Sequence, residues 1–137
     1  MPRTRGFLVF SDIPGDVLYR VEPDNKVTAL IRDVQPTDAP VTAPEHMMGP
    51  DGTTIDPQGR ITYCVFGGGR IERLPADGKR EVLVSSLEDG HPLTLPNDLV
   101  YRSDGILYFT QDAATYMVKP GATRRHKEPK RSGSLPR

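Results

Sequence analysis

Cysteine is nearly missing from the chain: Cys64 is the one thiol in 137 residues, so no disulfide within the chain can staple the fold. Tryptophan is absent altogether. No run approaches the roughly 18 apolar residues of a membrane span, and Phe7–Phe10 is too short for the apolar core of a signal peptide. Net charge is also missing, with 18 Lys and Arg against 18 Asp and Glu, so the whole chain has no pull on a polyanion. Sustained helical periodicity is lacking as well. These absences exclude a disulfide scaffold and a helical membrane protein, and the expectation is a soluble, cytoplasmic chain. What the sequence has in quantity is turn chemistry. Fourteen prolines and thirteen glycines break it into short β-branched and aromatic runs, the pattern of an all-β fold.

Those runs recur. Phe7–Phe10, Val17–Val21 and Val27–Ile31 read as strands separated by turns at residues 11–16 and 23–25. A shift of 53 residues lays this unit on the next without a gap: Gly6 on Gly59, Phe10 on Tyr63, Leu18 on Ile71, Arg20 on Arg73, Asp24 on Asp77 and Leu30 on Leu83. A further shift of 46 puts Gly105 on Gly59 and Ile106–Phe109 on Arg60–Tyr63. One strand–turn–strand–turn–strand unit per copy is the signature of an array of small sheets, propeller-like in length. The prediction is therefore two to three propeller blades over residues 1–120, with boundaries near 33–50 and 86–96. Thr53–Asp56 and Leu99–Arg102 are expected as innermost strands of the second and third blades. The first blade is expected to lack that strand.

The most informative stretch is Leu93–Thr110, LTLPNDLVYRSDGILYFT. Pro96 cannot donate a backbone hydrogen bond, so Leu95–Pro96 reads as extended backbone. Asn97 and Asp98 follow, then a strand, a Ser103–Asp104–Gly105 turn and a second strand. Asn97 and Asp98 have two readings. They can close a turn on their own backbone, or aim two short polar side chains at a ligand.

Pro96-Asn97-Asp98-Leu99-Val100, Ser103-Asp104-Gly105 and Tyr108-Phe109-Thr110 together resemble the gluconolactonase, senescence-marker-protein and luciferin-regenerating-enzyme family. Supporting matches are Asp56-Pro57-Gln58-Gly59-Arg60, Cys64, Arg70-Ile71, Arg73-Leu74, Asp77-Gly78-Lys79 and Phe10-Ser11-Asp12-Ile13-Pro14. The resemblance covers residues 6–110. It implies a part of a six-bladed β-propeller and hydrolysis of a sugar lactone of the gluconolactone type, with a divalent cation (calcium, zinc, manganese or magnesium). By the same resemblance Asn97 contacts substrate or a metal-bound water, and Asp98 binds substrate or a second ion. The family's metal-holding Glu, Asn and Asp lie on inner strands of its first, fourth and fifth blades, and none of these has a counterpart in the sequence. The chain alone is accordingly expected to bind the metal poorly and to be inactive, as a truncated copy. The alternative is a non-catalytic fragment or a module that completes a propeller with another chain, self-associating through open blade edges. Departures from the family pattern gather near the pocket: Asp51 for Asn before Gly52, Thr94 and Leu95 for Asn and Ser, Phe66 for His, and Gln111 for Asp.

Other chemistry-bearing residues point elsewhere. His46, His91 and His126 have no ligand spacing and read as surface residues. Cys64 sits in an apolar strand without a nearby His, as a structural thiol does. Phe66-Gly67-Gly68-Gly69-Arg70 lacks the Lys-Ser or Lys-Thr of a phosphate loop and reads as a hairpin turn. Charge is unevenly spread: residues 119–137 carry +6 and residues 1–118 carry −6. The basic tail, 121–137, has Leu135 as its lone large apolar residue, so it is expected to remain disordered. It has no aromatic on which a base could stack, which argues against nucleic acid as a partner.

Overall fold

In the computed structural model the described residues are 6–37, 48–120 and the backbone of 126–127. They form eleven strands and, among the described residues, no helix. The strands are β1 (Leu8–Asp12), β2 (Val17–Val21), β3 (Val27–Arg32), β4 (Pro50–Ile55), β5 (Ile61–Val65), β6 (Arg70–Leu74), β7 (Glu81–Val84), β8 (Leu99–Tyr101), β9 (Leu107–Gln111), β10 (Ala114–Val118) and β11 (His126–Lys127). They make three antiparallel sheets, β1-β2-β3, β4-β5-β6-β7 and β8-β9-β10-β11. This is part of a β-propeller, all-β as the repeat predicts. Among the described residues the first sheet has no counterpart to β4 and β8, and its strands match β5, β6 and β7 of the second.

Local chemistry explains why each hairpin closes where it does. Asp24 and Asp77, equivalent under the 53-residue shift, each accept the backbone N–H two residues on, from Lys26 and Lys79. Asp56, Asp89 and Asp104 do the same for Gln58, His91 and Ile106, a side chain standing in for a backbone turn. Asp112 and Ala113 both have positive φ, at 50° and 57°, the twist-matched geometry of a two-residue hairpin. Residues 66–69 join β5 to β6 as a hairpin turn, with no helix following.

Two apolar layers hold the sheets face to face. Leu18, Ile31 and Val34 pack on Ile61, Tyr63 and Val65. Cys64, Ile71 and Val84 pack on Leu93, Leu99, Leu107, Phe109, Tyr116 and Val118. Strand β5 serves both layers, because alternate side chains point to opposite faces, and every one of its residues is buried. Each large apolar side chain so covered contributes roughly 1.5–3 kcal/mol.

Three details differ from the sequence expectation. β4 begins at Pro50 rather than Thr53, because an irregularity between Pro50 and Thr53 lets the strand start early while keeping Thr53 opposite Tyr63. Leu95 is not extended: its φ is 32°, left-handed despite the following proline. Its neighbours force this, since Thr94 N–H is held by Gln111 Oε1 and Asn97 N–H by the Thr110 carbonyl. Finally, His126–Lys127 pairs with Met117 and Tyr116 as a fourth strand. The rest of the basic tail, and residues 38–47 of the expected connector with His46, lie outside the described residues.

Candidate functional site

The first strands of the second and third sheets meet at one end. Gly52 N–H donates to the Asn97 carbonyl at 2.8 Å. A Cβ on Gly52 would stand 2.7 Å from that oxygen and 2.7 Å from Asp98 Cα. Only a residue without a side chain lets the two backbones approach this closely. The contact places Asp51 beside Asn97, and Asn97 Nδ2 donates to Asp51 Oδ2 at 3.0 Å. From the first sheet, Ser11 Oγ donates to the Asp51 carbonyl and lies 2.9 Å from Thr53 Oγ1. Three sheets thus converge on one polar cluster.

The two residues singled out in the sequence are therefore brought together with a third. Asn97 is fixed through its backbone, since its N–H donates to the Thr110 carbonyl at 2.9 Å. Asp98 is held by two contacts to Thr110: Thr110 N–H donates to the Asp98 carbonyl, and Asp98 N–H donates to Thr110 Oγ1. Asp98 Oδ1 accepts Leu99 N–H at 2.8 Å. Both side chains are exposed. The backbones close the turn, while Asn97 keeps a second amide N–H and its amide oxygen in addition to the contact with Asp51.

Asp51 did not stand out as a site residue in the sequence. The signal was there: a shift of 46 residues lays Asp51 on Asn97, and equivalent positions of neighbouring sheets meet at their common end. Burial and the Asp98 carboxylate push the Asp51 carboxyl above its ordinary range. Burial, then the same two carboxylates, pushes the Cys64 thiol well up, which keeps it a neutral core group.

The larger cavity lies elsewhere. About 370 Å³ opens between the second and third sheets at the opposite end of the strands, beside Asp56, Arg60, Arg73, Tyr101 and Lys119. Its volume is that of a small ligand pocket, but its chemistry is largely spent. Arg60 Nε is on Asp56 at 2.6 Å, Arg73 on Glu81 at 2.8 Å, and the Tyr101 hydroxyl on Thr62 at 3.0 Å. The Asn97 cluster is the better candidate because its polar atoms still point to solvent. His91 is exposed and sits 3.1 Å from the Asp89 carboxylate, away from the cluster. No helix among the described residues is long and apolar enough to cross a membrane.

An open catalytic metal site needs about three protein ligands. Among the described residues no group of three or more His, Cys, Asp or Glu could hold an ion. Asp51 and Asp98 supply two such groups here, and the third polar side chain of the cluster is the Asn97 amide, whose Nδ2 donates to Asp51.

The family model described as SMP-30/Gluconolactonase/LRE-like region matches residues 2–131. A gluconolactonase of Zymomonas mobilis is 28% identical over 105 residues, covering 76% of this chain and 29% of that protein. A gluconolactonase structure from Xanthomonas campestris superposes with a TM-score of 0.73 at 24% identity, covering 88% of this chain and 42% of that one. A catalytically inactive virginiamycin B lyase from Staphylococcus aureus superposes at 0.66 and 21% identity, covering 93% and 40%. The chain thus spans less than half the length of these relatives.

Proposed function

Because the chain belongs to the SMP-30/gluconolactonase/LRE-like family, we propose that it serves hydrolysis of a sugar lactone, a ring ester of the gluconolactone type, as the substrate-orienting part of the site. The observation that carries this reading is the Asn97–Asp51 hydrogen bond at the junction of the sheets. It locks the Asn97 amide in one orientation, with a second N–H free to donate to a lactone oxygen. The exposed Asp98 carboxylate beside it accepts hydrogen bonds from the sugar hydroxyls. Holding a ring ester in a fixed pose is a positioning contribution. Cleavage also needs a polarised carbonyl and an activated water, the tasks a divalent cation performs in such hydrolysis. Among the described residues no group of three or more His, Cys, Asp or Glu could hold such an ion, so no chemical step is assigned to this chain.

The test uses the purified 137-residue chain and a non-hydrolysable lactam analogue of gluconolactone. The side-chain amide resonance of Asn97 is expected to shift on titration, and Asn97→Ala is expected to abolish binding. Gluconolactone turnover should stay at background with calcium, manganese or zinc added. No response at Asn97 to the lactam would sink the lactone reading. Metal-dependent turnover lost on Asn97→Ala would instead show a whole catalytic centre in this chain and overturn the partial-site reading.

A further inference from the structure

The cavity of about 370 Å³ at the far end of the strands is built by two sheets. Asp56, Gln58, Arg60 and Arg73 come from the second sheet and its turns, and Asp104 and Lys119 from the third. Leu83, from the second, and Leu107 and Val118, from the third, supply an apolar wall. The polar groups have been described as mostly paired with one another. What they leave over is of one kind.

The acceptors are taken. Asp56 Oδ1 accepts the backbone N–H of Gln58 at 2.9 Å and of Arg60 at 2.8 Å, and its Oδ2 accepts Arg60 Nε at 2.6 Å. Both Asp104 oxygens accept Arg102 Nε at 3.0 Å. Gln58 Oε1 accepts Arg60 Nη2 at 3.2 Å. The donors are taken less fully. Arg60 Nη1 and Gln58 Nε2 make no hydrogen bond among the described residues. Arg73 Nη1 has only the Asp56 carboxylate, 3.8 Å away. Lys119 is exposed and has no ion pair among the described residues. Unused donors around a cavity suit a group that only accepts, an ionised carboxylate or a phosphate.

Charge selects between the two. Arg60, Arg73 and Lys119 line the cavity against the carboxylates of Asp56 and Asp104. The partners just outside it, Glu81 on Arg73 and Arg102 on Asp104, cancel each other. The surplus is a single positive charge, which one carboxylate neutralises. The second charge of a phosphate would stay unpaired beside an apolar wall, where charge is costly. We infer that this cavity is a second binding site, for a small organic monocarboxylate. Its head lies among Arg60, Arg73 and Lys119, and its compact body lies against Leu83, Leu107 and Val118. The site is at the opposite end of the strands from Asn97 and does not rest on the lactone reading.

The test is a titration of the isotope-labelled 137-residue chain with sodium benzoate, followed by nuclear magnetic resonance. Benzamide and inorganic phosphate form the other two arms. Benzoate should give saturable shifts at the backbone amides of Arg60, Arg73 and Lys119. It should also raise the melting temperature, because it binds only the folded chain. Benzamide has the same shape without the charge and should bind at least about tenfold more weakly, since charge-assisted hydrogen bonds are the stronger ones. Lys119→Glu should abolish the shifts at Arg60 and Arg73, and Lys119→Arg should keep them. Lys119 is exposed, so neither variant disturbs the core. The inference would be overturned by no saturable shift across the millimolar range, or by shifts confined to Asn97 and Asp98. Benzamide or phosphate binding as tightly as benzoate would overturn it too, as would indifference to Lys119→Glu.

Discussion

Glu72 is 1% exposed in the middle of β6, and its removal should cost far more than removal of any surface carboxylate. Its two oxygens accept from Arg70 Nε at 2.6 Å, Arg80 Nε at 2.7 Å and the buried Tyr63 hydroxyl at 2.8 Å. Arg80 carries the network across to the first sheet, donating to the Val34 carbonyl and, at 3.3 Å, to that of Asp33. The Glu72→Ala change leaves the Tyr63 hydroxyl buried without its acceptor, at about 1–3 kcal/mol. It also takes a carboxylate partner from two guanidinium groups. Their side chains are 21% and 30% exposed, and Arg80 keeps the Val34 and Asp33 carbonyls, so each lost ion pair costs only about 0.2–1 kcal/mol. The total is about 3 kcal/mol, a large part of the margin of a small domain.

Glu81 provides the control. It also holds an arginine in a two-point contact, from Arg73 Nε at 3.0 Å and from its terminal nitrogen at 2.8 Å, yet it is 47% exposed. Glu81→Ala should therefore cost under about 1 kcal/mol. Urea unfolding followed by circular dichroism measures both, and the midpoint should fall clearly for Glu72→Ala and barely for Glu81→Ala. Equal losses would refute the argument that burial sets the value of the carboxylate, as would a loss below about 1 kcal/mol at Glu72.

Asp51→Asn should stabilise the chain at neutral pH. The Asp51 carboxyl is raised from 3.8 by burial and by Asp98. The fold therefore favours its protonated form, and that contribution is full below the ordinary value and lost as pH rises through the folded value. Thermal melts should show the variant ahead at about pH 7 and level with the wild type below about pH 4; a variant no more stable at neutral pH would contradict this. Gly52→Ala should cost about 1–3 kcal/mol, because the new Cβ meets backbone at 2.7 Å. It should also move the Asn97 amide resonance, and an unchanged urea midpoint with an unmoved resonance would count against the tight junction.

The strands were legible because the repeat carries its own punctuation. Asp-Gly and Asp-Asn turns recur at the same offsets, and they are the groups that cap the hairpins. Asn97 and Asp98 were legible as a pair because proline and the following apolar run isolate them. What stayed hidden depends on contacts between sheets. A glutamate in the alternating run of β6 looks like a solvent-facing residue. It is buried because Tyr63, nine residues back, and Arg80, eight residues on, close over it. Leu95 escaped because its backbone is bent by Gln111 and Thr110, partners that sequence proximity does not reveal. The irregularities at Leu18/Tyr19 and Ile71/Glu72 shift pairing by a residue, and no local residue type marks them.

Site and fold are not separable here. Asp51 and Asn97 are equivalent under the 46-residue shift, and Ser11, Cys64 and Thr110 are equivalent under the two shifts taken in turn. All five gather near the junction because successive sheets stack in register, so that like positions become neighbours. Their chemistry then diverges by burial. Ser11 and Thr110 spend their hydroxyls on the backbone of Asp51 and Asp98, while Cys64, walled in between the sheets, stays a neutral thiol. The outer residues fix the backbone, and the carboxylates and amide are left to face solvent. A change that alters the spacing of the sheets must therefore alter the Asn97–Asp51 contact, even where it touches neither residue.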